Sequence, residues 1–202
     1  MNKRHLTVCA LLASALVLTA CGSGDDTATT GAGTGAATSS TALPDSQQGN
    51  DADISFLTGM KPHHEQAVEM SDIVLAANPP SEVAALAEQI KGAQAPEIEQ
   101  MNTMLADLGQ PAGGMSHGGG HMAGGHGGMM SDADMAALEA ATGTDAARLY
   151  LGGMIAHHQG AIEASEAELA DGEYEPARAL ATSIAKEQAV EIATMQDLLA
   201  SL

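Results

Sequence analysis

The chain has 202 residues, which suffices for one domain or for two small ones. It carries 26 acidic and 7 basic residues and a formal net charge of −19. This balance disfavours binding to nucleic acid or to anionic lipid headgroups, and it favours cationic partners. Trp is absent, and there are only one Phe and two Tyr, so we expect a core built from Ala, Leu, Ile and Met.

The first 20 residues have the pattern of an export signal. Lys3 and Arg4 precede an apolar run over residues 6–18, which is too short to span a bilayer comfortably. Residues 18–21, Leu-Thr-Ala-Cys, resemble the lipobox of bacterial lipoproteins, which implies cleavage before Cys21 and a lipid on its sulfur. We therefore expect an extracytoplasmic protein anchored in the cell membrane by lipid. The alternative is an ordinary signal peptide with a stray cysteine.

Residues 21–50 are predicted to form a flexible tether between this anchor and a folded domain. The segment consists mostly of Gly, Ala, Ser and Thr, and it offers almost nothing to bury. Cys9 would be lost with the signal and Cys21 consumed by the lipid, so the mature chain would have no free thiol. Any metal site must then use other ligands.

The first helix is predicted from about Asp53 to Ala77. Its candidate inner face recurs at three- and four-residue steps, the period of one helical face, through Phe56, Met60, His63, Ala67 and Met70. Pro62 lies inside this pattern and lacks a backbone donor, so we expect a kink or a restart near Gly59 to Pro62. The second helix is predicted from Ser81 to about Gly109, with Pro96 as a bend.

A segment from 111 to 131 interrupts the helical pattern with Gly, His and Met. Glycine lets such side chains wrap an ion, so we predict metal binding here, with weak selectivity that extends to Zn and Ni. The alternative is a linker of biased composition. The candidate ligands are Met115, His117, His121, Met122 and His126, accompanied by Met129 and Met130.

Helical signals resume after this segment. Ser131 is a predicted N-cap for a short helix that runs to about Ala141. Asp145 is predicted to cap a third long helix that ends near Ala170. Residues 171–174 form a turn, and Pro176 suits the first turn of a last helix that continues almost to the C-terminus.

The sequence contains an internal repeat. Gly-Met-Lys-Pro-His-His at 59–64 returns as Gly-Met-Ile-Ala-His-His at 153–158, a shift of 94 residues from His63 to His157. The same ungapped shift pairs Phe56 with Tyr150 and Ile90 with Ile184, which indicates a duplicated unit. We predict an all-α fold in which two helical hairpins pack into a four-helix bundle over residues 51–202, with repeats at 51–110 and 145–202.

The repeated phrase places a thioether and two imidazoles within one helical turn. Met60, His63 and His64 form one set, and Met154, His157 and His158 form the other. Thioether sulfur selects Cu(I), while imidazole accepts Cu(I), Cu(II) or Zn, so the mixture favours copper, as Cu(I) first. The alternative is that the methionines are core residues and the histidines structural. Adjacent histidines lie about 100° apart, so one of each pair can face the site and the other its rim; we predict both as ligands.

The second helix of each repeat adds further candidates. Met101 and Met195 are predicted as additional ligands. A Gln within an apolar stripe needs a hydrogen-bond partner, and the N–H of a ligating imidazole is a natural one. The candidates for this supporting role are Gln94, Glu97, Gln188 and Glu191; a solvated surface Glu is the alternative for the two glutamates.

The doubled Met-x-x-His-His helices, Ala67 and Ala161 one turn later, and the export signal resemble domain-of-unknown-function family 305. This resemblance covers roughly residues 51–202 and implies a ferritin-like four-helix fold in a secreted bacterial protein. The family includes a cyanobacterial periplasmic copper-binding protein associated with copper resistance. The resemblance therefore implies copper at the two repeated phrases, while Pro62, which stands where the second copy has Ala156, departs from the pattern.

Three functions remain open at this point. The favoured one is a membrane-tethered protein that buffers, sequesters or hands over copper, with a copper-handling envelope protein as its partner. The second is a helical adaptor or sensor with structural histidines. The third is a metal-dependent oxidase, but a di-iron site needs Glu three residues before a ligating His, and those positions hold Met60, Lys61, Met154 and Ile155. An enzyme is therefore the less favoured class.

Overall fold

The computed structural model describes residues 49–110 and 127–202. These residues form an all-α fold without any strand, as predicted. Four long helices and one short helix follow each other along the chain: α1 (Asp51–Ala76), α2 (Ser81–Asp107), α3 (Asp132–Ala140), α4 (Gly143–Asp171) and α5 (Glu175–Ser201).

The helix starts follow capping chemistry. Asn50 caps α1, and Asp53 closes a capping box with it at the third helical position, so the helix begins two residues before the predicted Asp53. Ser131 caps α3 as predicted, and Asp134 completes the second capping box. Both boxes satisfy backbone N–H groups that have no partner inside the helix.

Pro62 does not restart α1. The helix is continuous from Asp51 to Ala76 with Pro62 inside it, and α2 likewise continues through Pro96. The predicted restart near Gly59 is therefore wrong. A proline removes one helical hydrogen bond, but the burial of the α1 side chains on either side of Pro62 supplies stabilisation that the local sequence cannot show.

The start of α4 also differs from the prediction. The helix begins at Gly143 rather than after a cap at Asp145, and Thr142 occupies the N-cap position without a side-chain hydrogen bond. Gly143 has a φ of +57°, a conformation that favours glycine. Its N–H donates to the carbonyl of Ala77 at 2.8 Å, which ties the start of α4 to the end of α1.

The long helices pack as two hairpins. Helix α1 packs mainly against α2, α4 mainly against α5, and the hairpins meet chiefly through α1 and α4. The buried apolar side chains fall into two clusters. One contains Met60 and Ala161; the other contains Ala67 and Met154. Since the histidines of α1 and α4 lie between these positions in sequence, they form a polar layer between two apolar clusters.

None of the helices in the described parts of the chain is both long and apolar enough to cross a bilayer. The predicted export signal, the lipid attachment at Cys21 and most of the predicted tether lie outside the described residues.

Candidate metal centre

Four histidines occupy the middle of the bundle, two on α1 and two on α4. The helical period that buries Met60 and Ala67 also turns this part of α1 inward, and the repeated pattern does the same on α4. All four side chains have no solvent exposure. The rings of His63 and His157 face each other across the α1–α4 interface, with centroids 3.6 Å apart and planes inclined by 34°.

The second histidine of each pair turns towards its own hairpin partner. His64 Nε2 lies 2.9 Å from Glu97 Oε2 on α2, and His158 Nε2 lies 2.8 Å from Glu191 Oε2 on α5. One histidine of each pair thus faces the other hairpin and the second turns to its own hairpin partner; that both bind metal stays a prediction. The glutamates are mostly buried, with side chains 14% and 9% exposed, and they are not solvated surface residues.

These contacts determine which ring nitrogens are available. A carboxylate only accepts hydrogen bonds, so Nε2 of His64 and of His158 donates, and in the neutral ring the lone pair lies on Nδ1. Both Nδ1 atoms are buried without a hydrogen-bond partner among the described residues. A carboxylate behind one nitrogen and a free lone pair on the other is the arrangement of a metal-binding histidine.

Burial also determines the charge of His157. Burial lowers the pKa of its imidazole to about 2, and the neighbouring His63, His158 and His64 contribute in the same direction. The ring is therefore neutral at physiological pH, which is the form that binds metals. Neither of its nitrogens makes a hydrogen bond of normal geometry to a described residue.

The four candidate methionines lie on the two sides of the histidine layer. Met60 and Met101 belong to one apolar cluster, and Met154 and Met195 to the other. All four are fully buried. The duplication thus places one pair of methionines in each cluster. Every one of these side chains packs in the core, whether or not it also binds metal.

The two glutamines predicted to support the histidines do not contact them. Gln94 is 2% exposed, and neither end of its amide has a partner among the described residues; Gln188 is 3% exposed, and its Oε1 has none. The glutamates one turn later on α2 and α5 make the contacts instead. Burying an amide group without a hydrogen-bond partner costs free energy of folding, so both glutamines occupy unusual positions.

A short segment that we call the strap, residues 127–130, crosses the histidine layer. Gln66 grips it with both ends of its amide: Nε2 donates to Met130 O at 3.0 Å, and Met130 N donates to Gln66 Oε1 at 2.8 Å. The Gly127 carbonyl lies 3.4 Å from His63 Nε2. The strap therefore gives His63 a backbone acceptor where His64 and His158 have carboxylates.

Within residues 49–110 and 127–202, no group of three or more His, Cys, Asp or Glu side chains is arranged to hold a metal ion as it stands. The rings of His63 and His157 are in contact, with a tilt of 34° between their planes. The predicted ligands of the central segment, Met115, His117, His121, Met122 and His126, lie outside the described residues. A metal at the histidine layer would thus require ring rotation, thioether ligands or both.

Sequence reasoning missed three residues around the centre. Gln66 holds the strap, Gly160 makes room for it, and Gln89 Nε2 donates to Glu191 Oε1 at 3.3 Å. One signal was present in the sequence. The shift of 94 residues aligns Gln66 with Gly160, so the repeat is broken at the two positions that contact the strap.

Comparison with known proteins places this architecture in a family. The family model DUF305, a domain of unknown function, matches residues 53–199. The chain belongs to the DUF305 family. No curated protein matches it. A DUF305 structure from Streptomyces coelicolor, described as secreted, is 32% identical with a TM-score of 0.68, over 77% of this chain and 94% of that one. A Deinococcus radiodurans DUF305 structure is 30% identical with a TM-score of 0.68, over 77% and 99%.

A further similar structure is the protein CopM in its Cu(I)-bound form. It is 26% identical with a TM-score of 0.61, over 74% of this chain and 96% of that one. CopM has also been solved in Cu(II)-bound and Ag-bound forms. The four-helix DUF305 fold described above is therefore shared with a protein that binds soft metal ions.

Proposed function

We propose that this DUF305 protein binds copper ions outside the cytoplasm and buffers them, sequesters them or hands them to an envelope protein. The observation that carries the proposal is the buried histidine layer, in which two carboxylates orient His64 and His158 and leave their Nδ1 atoms without partners. The likeness to copper-bound CopM supports the same metal.

The proposed ligands are those of the two repeated phrases, with thioethers completing the set. His64 and His158 bind through Nδ1, with His63 and His157 between them. Met60 and Met101 on one side and Met154 and Met195 on the other offer sulfur for Cu(I). Cu(I) accepts low coordination numbers and soft ligands, so small rotations of these side chains suffice; Cu(II) and Zn would use the imidazoles alone.

The central segment is proposed as a second, more accessible set of ligands. Its His and Met residues, His117, His121, His126, Met115 and Met122, have no apolar neighbours in sequence that would explain them as core. The segment rejoins the described chain at Gly127, which contacts His63. Metal collected there would reach the helices at the strap.

A cavity lies beside the strap, whose Gly127 contacts His63. It has a volume of about 330 Å³, and Gly127, Gly160, Glu163 and Asp171 are among the residues that line it. The acidic lining attracts cations from a surface that is already negative. The proposed lipid on Cys21 and the tether to residue 50 would keep the protein attached to the membrane.

The competing reading is a helical adaptor or sensor in which the histidines are structural. The contact between the rings of His63 and His157 and the absence of a preformed three-ligand group in the described residues favour it. It predicts that copper binding does not depend on the four histidines.

Anaerobic titration tests the proposal. The protein is titrated with Cu(I) against a chromophoric competitor, then with Cu(II) and Zn(II), and compared with a variant in which Met115, His117, His121, Met122 and His126 are replaced by Ser. We expect tight Cu(I) binding by both, with fewer equivalents in the variant. Binding no tighter than that of an unrelated acidic protein would contradict the proposal.

A further inference from the structure

The strap breaks the two-fold repeat of the bundle. The repeats place Gln66 on α1 and Gly160 on α4 at equivalent positions. Gln66 makes two hydrogen bonds to the backbone of Met130. Gly160 is buried against the strap from the other side, and a Cβ at this position would overlap the Gly127 carbonyl. Gln66 holds the strap by hydrogen bonds, and the absence of a side chain at Gly160 leaves room for it.

Other glycines show how closely the strap lies on α4. Gly128 has a φ of +87°, and a Cβ there would overlap the Ala156 carbonyl. A Cβ on Gly153 would lie 2.6 Å from Met130 Sδ. The approach of Gly128 to a backbone carbonyl requires glycine, whereas the Met130 thioether beside Gly153 is the flexible end of a side chain and can move. In contrast, nothing lies within 4 Å of a Cβ built on Gly152 of the same helix, so the requirement is confined to the strap contact.

The docked strap orients one histidine. A backbone carbonyl only accepts, so the contact between His63 Nε2 and Gly127 O keeps the proton of His63 on Nε2. Glu97 and Glu191 do the same for His64 and His158. Outer acceptors of this kind fix the tautomer and the ring orientation of metal-binding histidines. The backbone carbonyl of Gly127 therefore accepts from His63 as the glutamate carboxylates accept from His64 and His158.

We propose that Gln66 and Gly160 are positioning residues for the metal centre, which act by holding the Gly127 carbonyl against His63. This inference rests on the proposed copper function. Neither residue is a ligand. Releasing the strap would leave the ligands on the long helices in place, yet it would remove the Gly127 carbonyl from His63 Nε2 and weaken metal binding.

Two variants and two matched controls test the inference. Gly160→Ala pushes the strap off α4, and Gln66→Ala removes the amide that grips Met130. Gly152→Ala and Gln159→Ala are the controls, since both positions are exposed on α4 and Gly152 has open space around it. Thermal unfolding of the metal-free proteins verifies that each variant folds.

Two readouts are measured on each protein. In the metal-free state, hydrogen exchange of the Met130 amide reports whether the strap is docked, and the ¹⁵N shifts of the His63 ring report its tautomer. We expect fast Met130 exchange and mixed His63 tautomers in both variants, and neither change in the controls. Cu(I) affinity should fall about 10–100-fold in both variants, the usual effect of losing an outer partner, and remain unchanged in the controls.

The outcomes separate this inference from the proposed function. Fast Met130 exchange together with unchanged Cu(I) affinity would overturn the positioning role, and so would an unaltered His63 tautomer. If the wild-type protein binds no Cu(I), the proposed function fails, while mixed His63 tautomers in the variants would still support positioning of His63 by the strap.

Discussion

The two halves of the bundle agree where they orient histidines and differ where the strap crosses them. His64–Glu97 in the first half and His158–Glu191 in the second have Nε2–Oε2 distances of 2.9 and 2.8 Å. Gln66 and Gly160, by contrast, occupy equivalent positions and have opposite roles. The His–Glu pairs, which both halves share, indicate that both halves orient histidines for the same chemistry. The difference between Gln66 and Gly160 arises because only one strap has to be bound by two equivalent helices.

The largest expected effect comes from removing the shared feature altogether. Replacing His63, His64, His157 and His158 together by Ala removes every imidazole of the layer. We expect Cu(I) affinity to fall by more than the roughly 10–100-fold typical of outer-partner changes, measured by competition titration in the variant whose central-segment ligands are replaced by Ser. An unchanged affinity would favour the adaptor reading.

The next prediction distinguishes metal binding from core packing as the role of Met60. Met60→Leu conserves volume, so unfolding free energy should change by less than about 1.5 kcal/mol, while Cu(I) affinity should drop because a sulfur is lost. Met70→Leu is the matched control, since Met70 is fully buried on the same helix but outside the repeated phrase. Equal Cu(I) affinities for the two variants would assign Met60 to the core alone.

The symmetry itself predicts a smaller, paired effect. Glu97→Gln and Glu191→Gln keep the size of the side chain but weaken the acceptor for His64 and His158. Each should lower Cu(I) affinity about 10-fold, at the low end of outer-partner effects, and by similar amounts. A large effect of one and none of the other, by the same titration, would mean that only one half of the bundle binds metal.

The smallest effect concerns stability and lies away from the metal. Burial raises the pKa of Glu168 to about 8, and the neighbouring Asp53 acts in the same direction; a protonated Glu168 can donate to Asp53. Burial acts to raise the pKa of Asp53, but backbone hydrogen bonds from Asn50, Tyr174 and Glu173 and the contact with Glu168 leave it lowered. The pair joins the start of α1 to the α4–α5 turn.

The sign of the pH effect follows from these shifts. A group whose pKa is raised on folding stabilises fully below its unfolded value, 4.5 for Glu168, and this contribution is lost as pH rises through about 8. The Tm of the metal-free protein should thus fall between about pH 5 and pH 8, by roughly 2–4 °C for each kcal/mol lost. Glu168→Gln, whose amide can donate to Asp53, should flatten the curve. A parallel decline in wild type and variant would contradict this assignment.

Much of this architecture could be predicted because it is local or repeated. Helical periodicity located the long helices, capping chemistry located Ser131, and the shift of 94 residues identified the paired histidines. The continuity of α1 through Pro62 could not be predicted, since it depends on packing against neighbouring helices. The acceptors of the histidines were assigned to Gln94 and Gln188 as much as to Glu97 and Glu191, because one turn of helix separates them and only the interhelical geometry decides.

The strap shows a second limit of the sequence. Gln66 and Gly160 attract attention only once the repeats are aligned and the segment between them is known to return to the bundle. A mismatch between duplicated copies is ordinary drift in most positions. It becomes informative here because both residues contact the strap, a segment of only four residues.

The most direct test is a crystal structure of the Cu(I)-loaded protein with anomalous scattering measured at the copper edge. We expect a copper peak in the layer between α1 and α4, within bonding distance of imidazole nitrogen from both repeats and of at least one thioether sulfur. The His64–Glu97 and His158–Glu191 contacts should persist. Copper found only away from His63, His64, His157 and His158, with their rings unmoved, would contradict the account.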